Sequence, residues 1–235
     1  MLLRHKNWDH HVADAEEVAR GEGFGNLRDR IVRLAEPRSG ETVVDVGAGT
    51  GLLSLAVAPH VGRVWAIDIS PAMVDYLQVK AASAELSNLK ATVGSAVSLP
   101  LVDGSADVVV SNYCYHHLRD ADKERALAEA FRVLRPGGRL VLGDMMFRVD
   151  LASPRNRRIL GEKVASMVRR GPAGIVRLLK NALRYLTRRW EHPATADWWR
   201  HSLHRAGFED VEIQLLDHEG GIAIARRPNR PSAQR

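Results

Sequence analysis

The stretch Val43-Val44-Asp45-Val46-Gly47-Ala48-Gly49-Thr50-Gly51-Leu52-Leu53-Ser54 decides the reading of the whole chain. Its β-branched start, Val43, Val44 and Val46, suits a parallel strand buried on both faces. Gly47, Gly49 and Gly51 then let the backbone turn tightly and approach a ligand, and a helix opens near Thr50. A dinucleotide fingerprint G-x-G-x-x-G would need a third glycine at position 52, which is Leu52. The G-x-G-x-G spacing lacks the helix-terminus geometry that cradles a pyrophosphate, so it suits a ligand without phosphates. Asp45, just before the loop, would repel a pyrophosphate and attract an ammonium.

Working outward, strand and helix patterns alternate regularly. Strands are expected at 42–46, 63–68, 89–93, 106–112, 138–144, 209–216 and 220–226, with helices at 51–59, 71–86, 120–134 and 195–206. Such alternation implies an α/β fold: a doubly wound, Rossmann-like, mostly parallel seven-stranded sheet with helices on both faces. Residues 8–35 read as helical around a break at Gly21-Glu22-Gly23, forming an N-terminal cap. Residues 155–190 read as two helices broken at Gly171-Pro172, a helical insertion after the fifth strand. In the second, Ile175, Leu178, Leu179, Ala182, Leu183, Leu186 and Trp190 share one face, while Arg177, Lys180, Arg184 and Arg188 line the other. The expected organisation is one domain over 1–235: a cap (1–36), a ligand-binding core (37–147), a basic insertion (148–194), a C-terminal helix with two strands (195–227) and a disordered tail (228–235).

Composition narrows the class. The 235 residues are 45% apolar, enough for one sizeable core. No run approaches the ~18 apolar residues of a membrane span, and the N-terminus turns polar too soon for a secretory signal, which favours a cytoplasmic protein. Cys114 is the only cysteine, excluding an intramolecular disulfide and a multi-thiolate metal site. Scattered histidines offer no ligand spacing, so no metal is expected. The net charge of +6 is localised: the segment from Arg148 to Trp190 carries +10, leaving −4 on the rest.

Three further blocks follow the glycine loop in order: Val64-Trp65-Ala66-Ile67-Asp68-Ile69-Ser70, then Ser98 through Val110, then Leu134-Arg135-Pro136-Gly137-Gly138-Arg139-Leu140. Together with residues 42–54 they make the chain resemble the class I S-adenosylmethionine-dependent methyltransferases of small-molecule type. The resemblance implies S-adenosyl-L-methionine as cofactor and S-adenosyl-L-homocysteine as product. It places the backbone of Gly47, Ala48, Gly49 and Gly51 against the amino acid and ribose portions, with Asp45 near the ammonium. Asp68, ending its strand, would accept from both ribose hydroxyls, and Ile69 and Met73 would pack on the adenine. Many members carry Gly-Asp-Ala where this chain has Gly94-Ser95-Ala96, so Ser95 and Ala96 would contact the adenine without a charge.

The Ser111-Asn112-Tyr113-Cys114-Tyr115-His116-His117 block falls beyond the fourth strand, beside the sulfonium, with Asn112 on the cofactor side. Methyl transfer needs a base only when the nucleophile must lose a proton. His116 and His117 are the natural bases, and Asp144, ending the fifth strand, is the second candidate. The acceptor implied is a small molecule, hydrophobic or quinone-like, with the insertion as a lid. Alternatives are a lipid acceptor reached by residues 155–190 at the inner membrane surface, an RNA acceptor, and a non-catalytic cofactor-binding role. The lack of an Asn-Pro-Pro-Tyr-type motif and of aromatics among the arginines argues against nucleic acid.

Overall fold

The computed structural model describes residues 8–147, 153–169, 171–172, 175–176 and 192–229. Its sheet has seven strands: β1 (Thr42–Val46), β2 (Arg63–Asp68), β3 (Leu89–Val93), β4 (Ala106–Asn112), β5 (Leu134–Met145), β6 (Glu209–Leu215) and β7 (Gly220–Arg226). Their order is β3-β2-β1-β4-β5-β7-β6. The first five pair in parallel, and β7 runs antiparallel between β5 and β6. Strand order reverses between β1 and β4, which opens a crevice at their carboxyl ends.

The period of two along each central strand sorts its side chains between two apolar layers. Val43, Val108, Val110, Val141 and Ile222 face α2 (Glu22–Ala35) and α3 (Leu52–Val57), meeting Leu27, Ile31, Leu53 and Val57. Val44, Val46, Val109, Leu140, Leu142 and Ala223 face α5 (Asp120–Val133) and α7 (Ala196–Arg205), meeting Leu127, Val133, Trp199 and Leu203. Helix α4 (Pro71–Ser83) covers β2 and β3 through Val74 and Leu77 on Ala66 and Ala91. Buried on both faces, these central strands need apolar residues at nearly every position, as the valine runs show.

Several boundaries differ from the sequence reading. The N-terminal break falls at Arg20–Gly21, between α1 (Val12–Ala19) and α2, so Gly23 lies inside α2. Helix α4 ends at Ser83, and Glu85 behind it has φ 55°. Strand β5 starts four residues early because Ala106 pairs with Leu134; a register shift then takes up Arg135–Gly138 before Val108 pairs with Arg139. The first insertion helix, α6 (Pro154–Arg169), is present, and Gly171 with φ 68° follows it. The apolar and basic faces assigned to residues 177–190, and the tail beyond Asn229, lie outside the described residues.

Candidate active site

Four polar residues are delivered to the carboxyl edge of the sheet because each ends a strand, or nearly so: Asp45 on β1, Asp68 on β2, Asn112 on β4 and Asp144 on β5. The glycine loop crosses this edge. Gly47, Gly49 and Gly51 have φ of 73°, 51° and 92°, the left-handed region that other residues enter at a cost. At Gly47 a Cβ would fall on the Cys114 side chain, so the loop and the β4 turn close together only without one. Above Gly49 there is open space.

Asp45 lies under this loop rather than on it. It is 1% exposed, and its carboxylate accepts the Ser54 hydroxyl at 2.5 Å. Burial pushes its carboxyl up to about 7, against that hydrogen bond, with the nearby Asp68 charge adding to the rise. Asp68 is half-buried and braced from both sides: Gly49 N–H donates to Oδ2 at 2.8 Å and Ser70 N–H to Oδ1 at 2.9 Å. Burial raises its pKa despite these bonds. Ile69 beside it is exposed, whereas Met73 is buried. Ser95 is half-buried at the end of β3, where its hydroxyl accepts Val97 N–H at 3.4 Å, and Ala96 packs on the core. Asn112 Oδ1 is buried with no hydrogen-bond partner.

Past Asn112 the chain turns through Tyr113, a non-glycine residue at φ 52°, whose N–H donates to the Gly143 carbonyl at 2.8 Å. This turn sets the next residues over β5. His116, 4% exposed, places Nδ1 2.6 Å from Asp144 Oδ1, and its backbone N–H donates to Oδ2 at 2.9 Å. Asp144, fully buried, also accepts Met145 N–H at 2.6 Å. Two candidates named separately from sequence, 28 residues apart, are thus one unit. A neutral imidazole that donates Nδ1–H to Asp144 would present its lone pair at Nε2. His117 is exposed, its ring 3.9 Å from that of His116 and 4.6 Å from that of Trp8. Cys114 is raised well above an ordinary thiol by burial and by Asp68, Asp144 and Asp45, which makes it a poor nucleophile.

An N-terminal strap is tied to the start of α4 and to the glycine loop, and sequence reading missed its residues. Asp9 Oδ1 accepts the Ser70 hydroxyl at 2.5 Å and Ala72 N–H at 3.4 Å, at the start of α4. These bonds hold its carboxyl below the usual range. Lys80 ties α1 to the loop, donating to Glu16 at 2.9 Å and to the Thr50 carbonyl at 3.1 Å. The bonds that Asp9 and Glu16 make to α4 are 61 to 64 residues apart in sequence, so no local pattern announces them.

Both described ends of the insertion are bonded to the core. Arg155 on α6 donates to the carbonyls of Leu216, His218, Gly220 and Met146. On the return limb His192 N–H donates to the His116 carbonyl at 2.7 Å. Nearby, fully buried Lys123 bonds Asp120 at 2.9 Å and lies 5.4 Å from the Trp198 ring. Two surface cavities, about 600 and 320 Å³, run along α3 and α4; neither is lined by Asp68, His116 or Asp144.

Residues 43–138 match a family model described as a methyltransferase domain. The chain carries a class I S-adenosylmethionine-dependent methyltransferase domain. Over 131 residues it is 34% identical to the uncharacterised methyltransferase YcgJ of Bacillus subtilis, covering 56% of this chain and 49% of that protein. It is 32% identical over 179 residues to the 27-O-demethylrifamycin SV methyltransferase of Amycolatopsis mediterranei, covering 75% of this chain and 61% of that one. The chain thus spans about half to three fifths of these relatives. The methyltransferase fold is also that of a SAM-dependent methyltransferase from Aquifex aeolicus, with TM-score 0.65, 18% identity, and coverage of 92% and 97% of the two chains.

The residues present fit this domain's cofactor. The orphaned Asn112 oxygen can accept an ammonium N–H, the space over Gly49 admits a ligand backbone, and Asp68 retains acceptor capacity for a diol.

Proposed function

We propose that this protein transfers the methyl group of S-adenosylmethionine to a hydroxyl of a small-molecule acceptor, with His116 as general base and Asp144 as its positioning residue. The His116–Asp144 pair carries the reading: a buried imidazole held in one tautomer by a carboxylate is what deprotonating a weakly acidic nucleophile requires. Gly47, Ala48, Gly49, Gly51 and Asn112 would hold the amino acid end, Asp68 the ribose, and Ile69, Ser95 and Ala96 the adenine. Met73, being buried, would support that wall from beneath. Asp45 would act from under the loop through Ser54.

When bound, the cofactor supplies a methyl carbon activated by positive sulfur; an acceptor oxygen lone pair attacks it, and the C–S electron pair stays on sulfur as a neutral thioether. The O–H proton goes to His116 Nε2. Asp144 keeps the ring oriented and stabilises the imidazolium so formed. His117, exposed and packed at a tilt against Trp8, would wall the site. The insertion, whose return limb is bonded to His116 through His192, would serve as a lid. The relative named for 27-O-demethylrifamycin SV supports a small-molecule oxygen acceptor.

Methyl-labelled S-adenosylmethionine incubated with the protein and a bacterial extract tests this. Label in aqueous or organic small molecules, as alkali-stable methyl ether, is expected. Label in phospholipid would give α6 and the following segment a membrane role, and label in RNA would overturn the acceptor class.

A further inference from the structure

Away from the carboxyl edge, two neighbouring helices are apolar on the side they turn outward. Helix α3 contains no charged residue, and α4 contains only Asp75 and Lys80. An ordinary surface helix sets charged and polar residues opposite its core face. Here Leu53 and Val57 of α3, with Val74 and Leu77 of α4, already fill the core side, while Leu55 and Tyr76 stay half-buried and Val79 is 66% exposed. The cavity of about 600 Å³ is walled by those last three side chains with Pro59, Ala84 and Leu86. Among the described residues, Lys80 is the one charge that lines it.

The second cavity, about 320 Å³, shares Leu55 and Lys80 with the first, so the two adjoin. Its lining is cationic, with Arg20, Arg28 and Lys80 against Glu16. The Lys80 ammonium is committed to both Glu16 oxygens, at 2.9 and 3.2 Å, and to the Thr50 carbonyl at 3.1 Å, so it contributes charge. The guanidiniums contribute donors as well. Arg20 meets Glu16 only through Nε at 3.7 Å, beyond hydrogen-bond length, and Arg28 turns Nε and Nη2 to Asp29. Even with Asp29 included, three cations face two carboxylates.

We propose that this groove binds a small amphiphilic carboxylate, its aliphatic tail in the larger cavity along Val79 and its carboxylate held by Arg20 and Arg28 in the smaller. A guanidinium fork matches a carboxylate, and the excess charge disfavours a cationic head. Apolar surface rimmed by polar residues marks a ligand groove, and this volume falls in the range of small-molecule sites. A concave site of this size takes one free molecule, not a bilayer surface. Neither cavity is lined by Asp68, His116 or Asp144, so the ligand is distinct from the methyl acceptor and the inference does not depend on the acceptor proposed above.

The test is an amide-shift NMR titration of the isotope-labelled protein, saturated with S-adenosylhomocysteine, with octanoate, 1-octanol, octylammonium and acetate in turn. Octanoate is expected to shift amides of α3 and α4 and to bind at least about tenfold tighter than acetate, a gain that two buried methylenes supply. It is expected to bind at least about fivefold tighter than 1-octanol, with octylammonium the weakest of the octyl compounds. Val79→Asp, at an exposed position, is expected to weaken octanoate at least about tenfold and octanol at least about threefold. Arg20→Gln combined with Arg28→Gln is expected to bring octanoate to the level of octanol and leave octanol unchanged. Both variants should retain S-adenosylhomocysteine affinity, the check that the fold is intact. Octanoate no tighter than acetate or octanol, stronger binding of octylammonium, shifts confined to residues 112–117, no binding of any of the four, or an octanoate affinity that survives either variant overturns the proposal.

Discussion

Replacing Asp45 with Asn should stabilise the ligand-free protein while weakening cofactor binding. Asp45 is buried beneath the glycine loop, with its carboxyl moved from 3.8 to about 7. Between those values the unfolded chain has released a proton that the folded chain retains, so stability falls as pH rises through this window. Above about pH 7 both states are ionised and the penalty is fully present; below about 3.8 both are protonated and it vanishes. A shift of this size corresponds to a ceiling of about 4 kcal/mol at pH 8, falling to roughly 1.5–2 kcal/mol at pH 5. The amide of Asp45→Asn is isosteric and keeps an acceptor for the Ser54 hydroxyl, but carries no charge to desolvate. Urea unfolding at pH 8 and pH 5 should therefore show the variant ahead of the parent by a few kcal/mol at pH 8, with the gap at least halved at pH 5. Calorimetry at pH 8 should show the variant binding S-adenosylmethionine more weakly, because a cation near the loop favours the ionised form. For the same reason the parent's affinity should decline as pH drops below about 7. A variant less stable than the parent at pH 8, or a gap unchanged with pH, would refute the reasoning.

Asp68→Ala should abolish measurable S-adenosylhomocysteine binding by calorimetry, a loss of at least about 100-fold for two charge-assisted hydrogen bonds, whereas replacing the arginines between 177 and 189 should leave that affinity intact. His116→Ala should lower kcat by about 10²–10⁴ with cofactor affinity unchanged. Raising pH until the acceptor ionises by itself should restore much of the rate, a recovery that a purely structural defect would not show. Asp144→Asn should lower kcat with a similar pH-dependent recovery. Gly47→Ala should cost about 2 kcal/mol or more in a urea melt and eliminate cofactor binding, because φ is 73° and the added Cβ would lie 2.6 Å from that of Cys114.

The sheet was readable because its signals are local. A valine run ending in glycines, an acid at the end of β2 and Ser70-Pro71 opening α4 each express a backbone preference within a few residues. The start of β5 escaped because Leu134 belongs to it only through pairing with Ala106, 28 positions earlier, while its own neighbours read as helix and turn. The same division runs through the site. Asp68, Asn112, His116 and Asp144 could be named from their places at or beyond strand ends, since parallel strands bring those ends to one edge.

Sequence by itself determined the doubly wound core and which polar residues its strands carry to one edge, and it named the short set of residues proposed to do chemistry there. Tertiary structure alone decided how those residues combine: that His116 and Asp144 form one hydrogen-bonded unit, that Asp45 lies beneath the loop, and that Trp8 and Asp9 complete the site from the other end of the chain. The reason is the range of the forces. Backbone preference and hydrophobic periodicity act over a turn or a strand and leave a trace in neighbouring residues. A hydrogen bond or ring contact between residues tens of positions apart is set by packing and leaves none.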